Sequence, residues 1–301
     1  MAFVAAVGVV ALLAAGEIWL QPRRIAEYPA SSTRHPTPYL MFTGLPGADD
    51  HNALGYRGRE PARPKPVGEH RVLVVGGSAV YGKGQPELTI PFQLQQMARR
   101  RESRAVSVYN WGVVSQVSGQ ELATIAHRAM AFEPDVVVLY DFANDLYASY
   151  TADPRPGHPF NLVISERAVG IFQSGDNRAL AAGVLTQSDL LRVLFPLELS
   201  DATAQLAPLR TAAGYGTPRW EEEVVTSYLA NVEAACRITT AYGARFVAAL
   251  QPVVFFTPQA DVTPRSARSS VPSWSARTTA RAEGSRNCKR GTRAADALSS
   301  I

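Results

Sequence analysis

The sequence contains little cysteine, and it has no histidine after residue 158. Its 301 residues include only Cys236 and Cys288, which excludes a disulfide-rich scaffold, a C-x-x-C redox motif and a cysteine zinc site. None of the five histidines follows an aspartate by three residues. We therefore expect no metal site. Cys236 falls on an apolar helical stripe, so we expect it to be buried in the core.

Phosphate-binding motifs are also missing. The segment HRVLVVGGSAVYGKG, residues 70–84, has neither the G-x-G-x-x-G spacing of dinucleotide sites nor a hydroxyl residue after Lys83. The nucleophile elbow G-x-S-x-G fails too, because Val80 stands at its second glycine. The sequence therefore disfavours a nucleotide or phosphate binder, and we expect no cofactor.

Only one hydrophobic run approaches the length of a membrane span. Residues 2–16 are apolar or small, and apolar residues 18–20 extend the run around Glu17. This pattern predicts an N-terminal anchor or signal over residues 1–21. A cleavable signal remains the alternative, although no basic stretch precedes the run. Arg23 and Arg24 follow it, and the positive-inside rule would place the rest of the chain in the cytoplasm.

The C-terminal segment has almost no apolar periodicity. Residues 264–301 carry eight Arg or Lys against Glu283 and Asp296, whereas the whole chain has a net charge of only +4. This composition predicts a basic disordered tail over residues 258–301, and we do not expect it to bind nucleic acid. Since such a tail cannot form a strand and a catalytic loop, we infer an altered terminus.

Three apolar runs, by contrast, each end in small or amide residues. They are residues 72–75 before Gly76, Gly77 and Ser78, residues 105–112 ending in Asn110 and Gly112, and residues 134–145 ending in Asn144 and Asp145. Such runs are typical of buried strands. Ligands bind at the carboxyl ends of parallel strands, and a glycine pair allows the backbone to approach a substrate closely. Ser78 is therefore the candidate nucleophile.

Helical patterns alternate with these strands. Apolar stripes predict a helix around Ile90, Leu94, Met97 and Ala98, another around Leu122, Ile125, Ala126 and Ala129, and a third over residues 220–242 before a fourth strand in residues 245–256. Ser118 and Glu121 predict a capping box. The alternation predicts one α/β domain over residues 70–257 with a parallel sheet. We expect an extended linker over residues 22–69, and a possible lid in residues 148–217, whose portion 178–199 is apolar.

The strand ends resemble those of a known family. Ser78 in GGSAVYG, Gly112 in NWG and Asn144 in AND resemble blocks I, II and III of the SGNH (GDSL-like) hydrolases. NALGYRG, residues 52–58, is similar to the N-x-x-G-[FY]-R-G segment that precedes block I in membrane-anchored members. The resemblance covers about residues 50 to 255.

The resemblance implies a flavodoxin-like three-layer α/β fold, incomplete here at its C-terminal edge. It implies ester hydrolysis by Ser78, with an oxyanion held by the Ser78 and Gly112 amides and the Asn144 side chain. Asp141 and Asp145 could form a carboxylate pair, but the resemblance makes Asp145 a loop-stabilising residue. The expected substrate is a small-molecule ester or an acetylated glycan, and the expected location is outside the cytoplasm on a membrane anchor.

Two departures from the family pattern leave two functions open. Phe142 stands where the family has a glycine, and the family's C-terminal D-x-x-H, which supplies the general base, is missing. Without a base, a serine is a poor nucleophile at neutral pH. The chain is therefore predicted to be either an ester hydrolase or a catalytically impaired, membrane-anchored ligand-binding domain. His51 and His158 are the alternative bases, and the oligomeric state stays open.

Overall fold

The structure is a computed structural model that describes residues 8, 11–16, 18–19, 34–48, 50–82, 84–101, 105–160, 162–175 and 200–252. Its strands are β1 (Arg34–Thr37), β2 (Met41–Gly44), β3 (His70–Gly76), β4 (Val106–Gly112), β5 (Val136–Asp141) and β6 (Arg245–Leu250). Its main helices are α1 (Ser78–Tyr81), α2 (Ile90–Arg101), α3 (Ser118–His127), α4 (Ala143–Thr151), α5 (Leu162–Ser174), α6 (Ser200–Ala213) and α7 (Pro218–Ala241). Short 3-10 turns cover Pro86–Leu88 and Ala129–Phe132.

Four strands form a parallel sheet in the order β4-β3-β5-β6. The register pairs Gly76 with both Gly112 and Tyr140, so β3, β4 and β5 end side by side. Strand β3 is buried on both faces because it lies inside the sheet between two helical layers, and this explains its continuous apolar sequence. The predicted parallel sheet is confirmed.

Alternate residues of the strands face two different cores. Leu73 and Val75 belong to a large cluster with Ile125 of α3 and Cys236 of α7. On the opposite face, β3 packs against α1 and α2 through a cluster of Val72, Val74, Val80 and Val108, with Leu94 at its margin. Helices therefore cover both faces of the sheet, as a three-layer α/β fold requires.

Two local predictions for the helices differ from the structure. Ile90 and Met97 are exposed, because α2 instead turns Pro91 and Gln95 inward, and the Gln95 amide bonds the backbone of β4. Ser118 is the first residue of α3 rather than its cap, and the Val117 N–H donates to the Gln120 side chain. The predicted Ser118–Glu121 capping box is therefore wrong, because the N-cap lies one residue earlier, at Val117, and Gln120 takes the place predicted for Glu121.

A second apolar cluster lies beyond the carboxyl end of β5. It joins Phe142 and Leu146 to Trp220, Val224 and Tyr228 of α7. The Trp220 Nε1–H donates to the Pro154 carbonyl at 2.6 Å, which fixes the chain after α4 to the start of α7. Helix α7 begins and ends close to the predicted bounds of 220 and 242.

The segment before β3 is folded onto the domain. Strands β1 and β2 form an antiparallel hairpin, and Phe42 and Tyr56 are buried in the large cluster. The Tyr56 ring stacks on Trp111 of β4 at a centroid distance of 4.5 Å. The described residues 34–69 thus differ from the extended linker predicted for residues 22–69, because a few aromatic side chains attach them to the core; residues 22–33 lie outside the described residues.

Other predictions fall largely outside the described residues. These are most of the predicted anchor over residues 1–21, the apolar portion 178–199 of the possible lid, and the tail from residue 258. Within the described part of the chain, no helix is long and apolar enough to cross a membrane.

Candidate functional site

Ser78 lies at the point where the strand order reverses. The chain passes from β3 to β4 on one side and then to β5 on the other, so the topological switch point lies between the carboxyl ends of β3 and β5. Gly77 is buried, whereas Ser78 at the start of α1 is exposed. The Ser78 hydroxyl is therefore accessible at the position where doubly wound sheets bind ligands.

Asn144 comes from the neighbouring strand end and packs against Gly77. A Cβ atom on Gly77 would lie only 2.0 Å from the Asn144 Nδ2 atom, so this contact requires glycine. The Asn144 amide donates one hydrogen bond to the Gln116 carbonyl at 2.7 Å. The Asn144 side chain also lies against the Asp141 carboxyl and opposes the rise of the Asp141 pKa. The structure thus brings Asn144 next to the residue preceding Ser78.

Gly112 approaches the same helix from the other side. A Cβ atom on Gly112 would lie 2.3 Å from the Tyr81 nitrogen, so glycine here allows β4 to pack against the backbone of α1. The Gly112 N–H donates to Asn110 Oδ1 at 2.9 Å, and the Asn110 amide donates to the Val80 carbonyl at 2.9 Å. Gly112 therefore supports α1, and its role as an oxyanion donor stays a prediction.

His51 is engaged with a neighbour of Ser78 rather than with Ser78 itself. Its Nδ1 lies 3.0 Å from the Leu45 carbonyl and its Nε2 lies 3.0 Å from the Tyr81 hydroxyl. Since a carbonyl can only accept, Nδ1 carries the proton and Nε2 accepts from Tyr81. His158 Nδ1 bonds the Pro156 carbonyl at 3.2 Å. In the described ranges, no histidine forms a hydrogen bond with Ser78.

Arg57, from the NALGYRG segment, holds the end of α1 in place. Its buried guanidinium donates to the carbonyls of Tyr81, Gly82 and Gly84 and pairs with Asp50. A guanidinium offers five donors in a fixed plane, which suits a turn with several free carbonyls. The segment preceding the sheet therefore holds the loop that follows Ser78.

Three buried carboxyl groups lie behind Asn144. Glu121, Asp141 and Asp145 are each 2% exposed or less. Burial, and then the charge of Asp141, raise the Glu121 pKa well above its usual range and the Asp145 pKa to about 7. Burial also raises the Asp141 pKa, although interactions with Glu121, Phe142 and Asn144 oppose this effect. We therefore assign a proton to Glu121, whose two carboxyl oxygens have no hydrogen-bond partner among the described residues.

Asp145 connects the third strand end to α3. It accepts hydrogen bonds from the Ser118 backbone N–H at 2.9 Å and from the Ser118 hydroxyl at 2.5 Å. The Asn231 amide of α7 donates to the same hydroxyl at 2.9 Å. These contacts agree with the loop-stabilising role predicted for Asp145. No group of His, Cys, Asp or Glu within the described ranges has an arrangement that could hold a metal ion.

The sequence assigned no role in the site to several residues that build it. They are Arg57, Tyr81, Asn110, Gln116, Ser118, Glu121 and Asn231. For most of them the sequence holds no signal, because their partners lie 24 or more residues away. Arg57 is the exception, because it lies in NALGYRG, the segment that resembles a family motif.

The comparisons with known proteins add no family to this description. No family model matches the chain, and no curated protein matches it. The geometry of the site therefore carries the functional argument.

Proposed function

We propose that this chain is an SGNH-type serine ester hydrolase or acyl esterase acting on a small ester or an acetylated glycan. The observation that carries the proposal is the contact of the Asn144 amide with Gly77, beside the exposed Ser78 at the switch point. We also propose that the N-terminal run anchors the protein in a membrane with the domain outside the cytoplasm, as in the family that the motifs resemble.

The proposed reaction needs a nucleophile, an oxyanion site and a base. The Ser78 oxygen would attack the ester carbonyl carbon, its proton would pass to a base, and the alcohol would leave with a proton. Water would then release the acid from the acyl-enzyme. The Asn144 side-chain amide and the Ser78 backbone N–H would donate to the oxyanion, the amide once it turns away from Gln116 or Asp141, with Gly112 as the third donor if its bond to Asn110 is shared.

A specific observation favours a second candidate function. His51 already forms hydrogen bonds with Tyr81 and Leu45, and no histidine among the described residues forms a hydrogen bond with Ser78. A site of this kind could bind an ester or an acetylated sugar without turning it over. The second candidate is therefore a catalytically impaired ligand-binding domain that retains the pocket.

Hydrolysis of p-nitrophenyl acetate separates the two functions. A hydrolase should show turnover that falls at least about 100-fold in Ser78→Ala. An impaired domain should show only the weak catalysis of an oxyanion site, on the order of 10³ over water, and Ser78→Ala should change it little. If Ser78-dependent turnover is found, His51→Gln and His158→Gln identify the base.

Gly77→Ala tests the oxyanion site itself. The added methyl group would displace the Asn144 amide, and loss of one such donor lowers turnover by about 100-fold or more. Gly170→Ala is the matched control, because no atom of the described residues beyond its own helix backbone lies within 4 Å of its Cβ position. Equal rates for Gly77→Ala and the parent protein would contradict the assignment of Asn144.

A further inference from the structure

Phe142 has an unusual backbone conformation at the centre of the site. It joins the end of β5 to the start of α4, with φ 126° and ψ −38°. The other non-glycine residues with positive φ, at Tyr39, Met41, Ser115 and Glu133, have φ between 51° and 66° and lie near the ordinary left-handed region. Among the described non-glycine residues, Phe142 is therefore the one whose φ lies well outside the left-handed region, where glycine is normally required.

The ring of Phe142 is held firmly in the second apolar cluster. Phe142 is 8% exposed and its ring meets Tyr228 edge-on at a centroid distance of 4.9 Å. Leu146, Trp220 and Val224 complete the cluster. Strained residues persist only when surrounding packing determines their conformation, and this cluster supplies that packing.

The strained turn determines where Asn144 lies. Asp141 ends β5 immediately before Phe142, and its carboxylate faces the Asn144 N–H at 3.5 Å. Two residues after Phe142, the Asn144 side chain meets Gly77 and the Gln116 carbonyl. A change of φ at residue 142 would rotate α4 relative to β5 and would move Asn144 away from both.

We propose that Phe142 is a positioning residue of the Ser78 site. Its ring, packed against Tyr228 of α7, holds the turn between β5 and α4 in the strained conformation that presents the Asn144 amide beside Gly77. Only the catalytic meaning of this role rests on the proposed function. The contact between Phe142 and Tyr228 also links the site to α7, the helix that follows residues 148–217, the predicted lid.

The first test measures the strain by comparing Phe142→Gly with Phe142→Ala in urea unfolding of the full chain. Both variants lose the ring, but only alanine must adopt an unfavourable φ. We expect the glycine variant to be the more stable, by roughly fivefold or more in the folding equilibrium. At Ala148, inside α4, glycine should instead lower the folding equilibrium about two- to fivefold. If Phe142→Gly is less stable than Phe142→Ala, as Ala148→Gly is expected to be relative to the parent protein, the turn at residue 142 is not strained and the proposal is overturned.

The second test follows the Asn144 side chain directly. Selective ¹⁵N-asparagine labelling gives signals from seven side-chain amides, and Asn144→Asp identifies the one that is lost. Phe142→Ala should shift or broaden the Asn144 pair. Leu146→Ala removes a neighbour from the same cluster without altering residue 142, so it should leave that pair in place. An unmoved Asn144 pair in Phe142→Ala, or an equal change in Leu146→Ala, would overturn the positioning role.

Neither measurement depends on ester hydrolysis. If the chain fails to turn over esters while both tests succeed, the proposed catalysis fails and the positioning of Asn144 by Phe142 stands. If a Ser78-dependent reaction is found, Phe142→Ala should lower its maximal rate rather than the affinity for substrate, because the lost oxyanion contact forms in the transition state.

Discussion

At the scale of single residues, the buried carboxyl groups behind Asn144 control how the protein responds to pH. Glu121, Asp141 and Asp145 lie together, and no ion pair with Lys, Arg or His reaches them within the described residues. Charging a buried acid without a cation is unfavourable, so the folded state retains protons that the unfolded chain releases. The cluster should therefore become a source of instability as pH rises.

We predict that the free energy of unfolding falls between about pH 4 and pH 8. Raised carboxyl pKa values mean that the folded state binds more protons than the unfolded state across this window, so stability is lost as pH rises through the folded pKa values. For Asp145 alone, a shift from 3.8 to about 7 corresponds to about 4 kcal/mol. Urea unfolding at several pH values measures the slope.

Glu121→Gln tests the assignment. It replaces the protonated carboxyl group with a neutral amide, so it should raise stability at pH 8 and flatten the slope. Exposed Glu87→Gln is the control and should leave the slope unchanged. A Glu121→Gln protein with the parent's pH dependence would show that the cluster does not hold the proton.

At the scale of elements, the short helix α1 depends on side chains from other elements. Asn110 of β4 binds its Val80 carbonyl, and Arg57 binds the carbonyls that follow. A helix of four residues satisfies few of its own hydrogen bonds, so such partners must supply the rest. The elements around Ser78 are consequently held by residues that are distant in sequence.

We predict that Arg57→Ala destabilises the protein by about 2–4 kcal/mol, because it leaves several carbonyls and Asp50 without their donor. Chemical unfolding gives the value. Arg219→Ala removes an exposed ion pair with Glu223 and should cost no more than about 0.5 kcal/mol. If the two variants lose the same stability, then Arg57 does not hold the loop after Ser78.

At the scale of the whole molecule, the domain begins well before the first strand of its parallel sheet. Tyr56 is fully buried against Trp111, and Arg128 lies over the Tyr56 ring at 5.7 Å. Replacing a buried large aromatic side chain with alanine destabilises a fold by about 3 to 5 kcal/mol. The segment from residue 34 onward is therefore part of the cooperative unit.

We predict that trypsin cuts slowly after Arg57 and Arg59 in the native protein. Cleavage requires local unfolding of a segment that is held by Tyr56 and by the Arg57 side chain, whereas a linker would be cut at once. Mass spectrometry of timed digests locates the cuts. The same digestion in urea should release both sites rapidly, and rapid native cleavage would mean that the segment does not pack on the sheet.

Local sequence patterns alone predict the succession of strands and helices along the parallel-sheet domain. β-branched runs such as Val72–Val75 and helical stripes such as that through Ile125 are local patterns, and local patterns record which face of an element is buried. The same patterns located Ser78, Gly112 and Asn144 at strand ends, because a strand end is where the apolar run stops.

How those residues meet depends on the folded structure. The contact of Asn144 with Gly77, the burial of Glu121 and the clamp from Arg57 join residues that are far apart in sequence, so they depend on the pairing of strands. The composition of residues 34–69 predicted an extended linker. These residues pack on the domain because burial of two aromatic side chains stabilises that packing despite the many prolines and arginines. The conformation of Phe142 could not be predicted from the sequence either, because the backbone angle at this residue is imposed by tertiary packing.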